Sequence, residues 1–443
     1  MNLQNQETEL KGLVEEILAE AKHQGADHAE VAVSMDQGLT VAVRKGELEN
    51  LEFNNDKGFG ITLLFGQRKG TASTSDSSPS AISDTVAAAK KIAQFTQEDP
   101  CHGLADAALM PEQPVDLDLF HEWDLSPDAA MIKAQACEAA ALAIDDRINN
   151  SDGAQVSTQQ SLRVYGNSHG FVGGYCGTRH GMSCVVIAED KAGMQRDYWY
   201  TTARQAQLLE SAEAVGRKAG ERTVARLSPK KAPTGSFPVL FSASSAAGLV
   251  SHFLNALSGA SQYRKASFLL DSIGTEILPK WLTLRENPLL SGGLGSAYFD
   301  GDGVATRDNT FVAGGVVEQY LLSDYSARQL GMQTTGNAGG VHNLDVLGET
   351  QTVDSLLRDM GTGLWVFELM GQGVNGVTGD YSRGAAGFWV ENGEVAYPVD
   401  EVTIASNLKD MGRSIAAMAD DYDYRGNVRA PSMLVAAMTI AGA

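Results

Sequence analysis

Apolar side chains recur at helical spacing near the start of the chain, at Leu10, Leu13, Val14, Ile17, Leu18 and Ala21. This spacing predicts an amphipathic helix over residues 7–24, ended by Gly25. The period then changes from 3.6 to two. Val31, Val33 and Met35, then Val41 and Val43, then Ile61, Leu63 and Phe65 each put apolar side chains on one face of a short strand, with Gly46, Asn54-Asn55 and Gly66 as punctuation. A helix follows from about Pro79 to Phe95. Residues 97–126 are expected to be irregular because Pro100, Pro111 and Pro114 interrupt them. Ser126-Pro127-Asp128 has the N-cap and first-turn chemistry of another helix, running to about Asp146. From Ile148 to Ala203 the pattern is again that of strands, broken into a meander by Gly166, Gly170, Gly173-Gly174, Gly177, Gly181 and Gly193. A helix over 205–225 closes this half.

Ser228 to Gly235 is short, polar and proline-bearing, which makes it the boundary between two domains, 1–230 and 231–443. Beyond it come a strand (Phe237 to Phe241), a helix at about 244–259 carrying His252, and many glycine-rich loops between short β-type runs. Only Ser323–Leu330 and a segment near 353–359 also read as helical. The expected fold class is therefore α+β. The N-terminal domain is an antiparallel sheet with helices on one face, and the C-terminal domain is β-rich with few helices.

Charge narrows the function. The chain carries 34 Lys and Arg against 55 Asp and Glu, a formal net charge of −21. A nucleic-acid binder is not expected, because that affinity comes from Lys and Arg neutralising phosphates. No run of about 18 apolar residues predicts a membrane span. The first ten residues are polar and acidic, with no apolar stretch of the kind that directs export. A cytoplasmic location is expected, with the cysteines at 101, 137, 176 and 184 reduced and none in a CxxC pair.

Several short motifs match a chemical pattern without its structural context. Gly166-Asn167-Ser168-His169-Gly170 fits G-x-S-x-G, but strand-type residues flank it on both sides, whereas a nucleophile elbow passes from strand to helix. Gly371-Gln372-Gly373-Val374-Asn375-Gly376 fits G-x-G-x-x-G, but no helix pattern follows to meet a pyrophosphate. Asp300-Gly301-Asp302 lacks the later ligands of a calcium loop. His121-Glu122 has no second histidine four or five residues on. The first three read as turns, and His121-Glu122 as structure without metal chemistry.

Longer strings are more specific. Phe299–Arg307, Gly314–Gly331 and Thr335–Ala338, followed by Tyr381–Glu394 and Tyr397–Ile404, resemble the TldD/PmbA family, and within it the PmbA/TldE branch. The resemblance extends over essentially the whole chain. It implies a cytoplasmic heterodimeric metalloprotease that cleaves unfolded peptides, trimming the leader of the microcin B precursor and degrading the antitoxin CcdA. In that family the TldD subunit carries zinc on an H-E-x-x-x-H helix and a later cysteine.

Zinc hydrolysis needs three protein ligands, an open position for water and a carboxylate base. Histidines five apart diverge by roughly 140° on an ideal helix, so the motif also needs a local widening of the helix. The matching segment here is His252-Phe253-Leu254-Asn255-Ala256-Leu257. The first ligand position keeps histidine, the base position is Phe253 and the second ligand position is Leu257. No cysteine follows Cys184. The resemblance therefore implies a non-catalytic subunit with no cofactor of its own, whose TldD-like partner bears the zinc. A dimer is expected, a homodimer when the chain is alone. His252 is either a packed helix residue or a retained contact to peptide or partner. Gly301, Thr306, Arg307, Thr335, Gly336 and Asn337, on two glycine loops, are candidates for lining a peptide channel, the alternative being plain tight turns. The competing function is a stand-alone homodimeric peptide- or protein-binding module, related to toxin or gyrase, with no protease role.

Overall fold

The computed structural model of the chain describes residues 3–442; Met1, Asn2 and Ala443, the ends of the two expected domains, lie outside the described residues. The N-terminal half is one unit repeated. Helix α1 (Leu3–His23) precedes strands β1 (His28–Arg44), β2 (Glu47–Phe65) and β3 (Arg68–Thr74) and helix α2 (Pro79–Phe95). Helix α3 (Pro127–Leu142), strands β4 (Asn150–Asn167), β5 (Val172–Asp190) and β6 (Gly193–Ala203), and helix α4 (Ala212–Ala225) repeat the order. All six strands form a single antiparallel sheet, β3-β2-β1-β4-β5-β6. The repeats join where β1 pairs with β4, from Glu30 opposite Asn167 to Val43 opposite Ala154.

Side-chain alternation places the four helices. Val31, Val33 and Met35 on β1 are buried in one cluster with residues of α1 and α2. Leu39, Val41 and Val43 are buried in a second cluster with residues of α3 and α4. All six are odd-numbered positions of one strand, so both helix pairs cover the same face, and each such side chain contributes about 1.5–3 kcal/mol of burial. Ser126 caps α3 as its sequence predicts, and Ser78, also before a proline, caps α2.

The strands are longer than the glycine pattern predicts. Gly46, Gly66, Gly170 and Gly193 do turn the chain, all at positive φ. Gly38, Gly173, Gly174, Gly177 and Gly181 instead lie inside strands. A Cβ on Gly38 would stand 2.6 Å from Asn54 Oδ1, and one on Gly173 would stand 2.9 Å from Tyr298 Oη. These glycines admit close neighbours and do not end the strand.

The C-terminal half runs β7 (Gly235–Phe241), α5 (Ala243–Ala256), α6 (Gly259–Tyr263), β8 (Thr283–Glu286), β9 (Asn309–Ala313), β10 (Val316–Val317), α7 (Asp324–Leu330), β11 (Leu344–Leu347), β12 (Thr350–Gln351), α8 (Val353–Met360), β13 (Gly363–Met370), β14 (Asp380–Glu391), β15 (Glu394–Asn407), α9 (Leu408–Arg413), β16 (Ile415–Ala419), β17 (Val428–Arg429) and β18 (Met433–Gly442). Seven strands are ordered β12-β16-β18-β15-β14-β13-β7, and β7 also pairs with β18. That extra pairing closes β7, β13, β14, β15 and β18 into a barrel. A smaller sheet, β10-β9-β8-β11-β17, lies in the same apolar core. The short helices α6 and α9 were not legible in the apolar spacing, since five or six residues span less than two turns.

The bare face of the N-terminal sheet turns toward this second half. Arg204 donates through Nε to Gly293 O and through Nη2 to Leu294 O, both at 3.0 Å. Tyr298 Oη accepts from Gly174 N at 3.0 Å. Tyr165, Tyr298 and Phe299 close the contact as a buried aromatic cluster.

Candidate functional site

Helix α5 starts where Ser242 N donates to Val366 O on β13 at 2.9 Å, so its register is tied to the barrel wall. Phe253 is 2% exposed and lies edge-on to Phe268, with ring centres 5.8 Å apart. Leu257, wholly buried, ends the helix, and its carbonyl accepts from Leu321 N at 3.0 Å. Both side chains belong to the main apolar core. His252 turns the other way. It is half-buried, edge-on to Tyr381 at 6.1 Å, and lines a cavity of about 190 Å³. Burial, and then the Arg383 charge, hold its imidazole below the usual pKa. It is therefore mainly neutral at pH 7.

A zinc ion does not fit this helix. Phe253 cannot accept a proton, Leu257 cannot ligate, and both face away from His252. Among the described residues no group of three or more His, Cys, Asp and Glu side chains is placed to hold a metal. All four cysteines belong to the N-terminal half or its connector, and Cys137 and Cys184 are buried in the core beneath α3 and α4. Three further histidines, His169, His180 and His342, have separate partners. His169 meets His28 edge-on at 5.3 Å. His180 is held by Thr158 Oγ1 and by the His121 carbonyl, each at 2.9 Å. His342 binds Glu286.

Three cavities adjoin. One of about 720 Å³ lies between the bare face of the N-terminal sheet (Ser34, Arg163, Tyr175) and Asp300, Gly301 and the loop 338–342. A second, of about 540 Å³, lies across that loop against α5, α6 and α7. Gly339, Gly340 and Val341 line both. Asn255 lines both the second and the His252 cavity.

The six channel candidates divide accordingly. Gly301 lines the first cavity and Asn337 the second. Thr306, Arg307, Thr335 and Gly336 line none of the three. Thr306 Oγ1 donates to Ala297 O at 2.6 Å and Arg307 Nη2 to Thr334 O at 2.6 Å. Thr335 Oγ1 donates to Asn337 Oδ1 at 2.8 Å, and Gly336 makes a turn at φ 74°. These four shape the loops from behind.

The group that organises the loops is Glu286 at the end of β8, a fully buried carboxylate. It accepts from Asn309 Nδ2 at 3.0 Å, from Asn337 Nδ2 at 2.9 and 3.0 Å, from His342 Nδ1 at 3.0 Å and from His342 N. Burial alone would raise its pKa. The hydrogen bonds and charge of His342, joined by Asn309 and Asn337, outweigh burial and hold it below the usual glutamate value. No local pattern marks Glu286, because its partners lie 23 to 56 residues away. Asp300 is the opposite case. Burial, then the neighbouring Asp302, push it up to about 6 against three backbone N–H bonds from Asp302, Val304 and Ala338.

Both pattern-matching glycine motifs sit between strands. β4 ends at Asn167 and β5 begins at Val172, and the hydroxyl of Ser168 accepts from Ala29 N at 3.1 Å. The 371–376 segment joins β13 to β14, and Gly371, Gln372, Val374 and Gly376 form one wall of the His252 cavity. Its shape, read from sequence as a turn, is a turn; its place in the cavity was not foreseen.

Comparison with known proteins adds a lineage to this geometry. The PmbA/TldA metallopeptidase domain 1 matches residues 29–93, the central domain residues 120–227 and the C-terminal domain residues 234–442. The first two matches fall on the two repeats of the N-terminal sheet. The Metalloprotease PmbA of Escherichia coli O157:H7 is 50% identical over 417 residues, covering 94% of this chain and 93% of that one. The Metalloprotease PmbA homolog of Haemophilus influenzae is 47% identical, covering 99% and 98%. Crystal-structure likeness includes TldE from Thermococcus kodakarensis, with a TM-score of 0.85 at 20% identity over 97% of this chain and all of that one.

Proposed function

Since the chain belongs to the PmbA/TldD metallopeptidase family, we propose that it is the zinc-free, PmbA/TldE-type subunit of a two-subunit peptidase. In this reading a TldD-like partner brings the metal, and this chain holds an extended, unfolded peptide in the adjoining cavities. Backbone pairing there tolerates varied side chains. Microcin B leader removal and CcdA degradation are the reactions it would serve, in the cytoplasm. Among the described residues no helix is long and apolar enough to cross a membrane.

The observation that carries the reading is the inward turn of Phe253 and Leu257, which leaves His252 as the one of these three positions that faces the cavity. A base and a ligand have been exchanged for core side chains. Restoring either polar group by a single substitution would bury it in an apolar cluster, which costs several kcal/mol.

The test is metal analysis of the purified chain, followed by an assay of an unstructured peptide with the chain alone and mixed with a zinc-bearing TldD-like subunit. Activity is expected only in the mixture. Stoichiometric zinc in the isolated chain, with peptidase activity lost to a chelator, would sink the reading. Failure of the two chains to associate would favour the stand-alone binding module.

A further inference from the structure

The His252 cavity carries no acidic side chain although the protein as a whole is acidic. Its polar lining is His252, Asn255, Ser261, Gln372 and Arg383, and neither aspartate nor glutamate lines it. The chain as a whole carries 21 more acidic than basic side chains. Arg383 donates through Nη2 to Leu369 O at 3.2 Å, while its Nε is buried with no hydrogen-bond partner. Beside it, Tyr381 is 2% exposed, and its buried hydroxyl also lacks a well-formed hydrogen bond. Arg383 is half-buried, and a partly desolvated guanidinium is ordinarily met by a carboxylate. Here the guanidinium has a backbone carbonyl and the neighbouring Tyr381 hydroxyl beside it, but no carboxylate lines the cavity.

We propose that this cavity is a carboxylate-binding subsite, in which Arg383 meets the charge and the Asn255 and Gln372 amides supply neutral donors. Its volume of about 190 Å³ equals the liquid volume of about six waters. That accommodates a carboxylate with a short aliphatic stem against Ala256, Phe268 and Leu408. The planar fork of arginine suits a carboxylate's two oxygens. The carboxylate belongs either to the C-terminus of an extended peptide or to a free short-chain acid. The first source rests on the peptide-holding function proposed above, because Asn255 is shared with the neighbouring cavity. The anion chemistry itself does not.

Calorimetric titration of the full chain tests this with four probes: N-acetyl-trialanine as the free acid, the same peptide as its amide, propionate, and inorganic phosphate. The free-acid peptide is expected to bind at least about tenfold more tightly than the amide. Arg383→Gln should abolish that preference. Gln372→Leu, on an exposed loop whose loss does not threaten folding, should reduce it, and thermal unfolding of each variant reports its fold. Propionate binding as tightly as the peptide acid would assign the subsite to a small acid and remove its support for peptide holding. Equal binding of acid and amide, no binding of any probe, a preference that survives Arg383→Gln, or phosphate outcompeting both carboxylates would overturn the proposal. Chelator should change none of these values. The subsite and the zinc-free reading therefore stand or fall separately.

Discussion

Replacing Glu286 by glutamine keeps the side chain's shape and removes its charge. The carboxylate accepts from two asparagine amides, one imidazole and one backbone N–H, and its own exposure is nil. Hydrogen bonds to a charged acceptor contribute about 1.5–3 kcal/mol each, and they do not add. Removing one partner of a buried charged network costs about 3–5 kcal/mol. Glutamine also brings a donating amide against the Asn309 and Asn337 donors, so E286Q belongs at the upper part of that range. That is a large fraction of the roughly 5–15 kcal/mol by which proteins are stable. Urea unfolding at pH 7, followed by circular dichroism, should show a much earlier transition for E286Q. A loss under about 1 kcal/mol would refute the network's role.

The pH dependence gives a second check. Glu286 is held below its ordinary pKa by the fold. Its contribution is present above the unfolded value near 4.3 and is lost as pH falls through the lower, folded value. The gap between wild type and E286Q should therefore be full at neutral pH and close in acid. A gap that widens below pH 4 would contradict the assignment. Because Asn337 and the 338–342 loop separate two of the cavities, E286Q should also weaken peptide binding in whatever fraction remains folded.

Asp300 should behave with the opposite sign: its carboxyl rises from 3.8 to about 6 on folding, so the native state takes up a proton first. Stability of wild type relative to Asp300→Asn should increase by up to about 3 kcal/mol between pH 7 and pH 4, and a pH-independent difference in urea titrations would count against it. Gly387→Ala places a Cβ 1.9 Å from the Trp365 carbonyl on the neighbouring strand, so a loss of about 1–3 kcal/mol or more in thermal unfolding is expected, and wild-type stability would show that the strands can separate freely. Ser168→Ala removes only a turn hydrogen bond of about 1 kcal/mol, so any peptidase activity found for the proposed two-subunit complex should be unchanged; its abolition would restore the serine-nucleophile reading.

The parts of this molecule that sequence discloses are those in which neighbouring residues determine the outcome. Ser78-Pro79 and Ser126-Pro127 cap helices through contacts three residues long, and the alternation of Val31 to Val43 assigns a face within one strand. Gly173 misleads because the group beside it, the Tyr298 hydroxyl, is distant in the chain. The candidate site follows the same division. That the helix around His252 lacks a base and a second ligand is a property of residue identity, readable at Phe253 and Leu257. That these two turn into the core, and that His252 shares a cavity with Arg383, more than a hundred residues downstream, depends on the closure of the barrel by β7 and β18. The glycines of the 371–376 loop match a nucleotide motif whose following helix is absent. Its glycines instead carry the chain tightly from β13 to β14, which sets Gln372 and Arg383 on two sides of the cavity. A motif can thus fail its usual chemistry and still mark a place where backbone has been bent around a ligand-sized space.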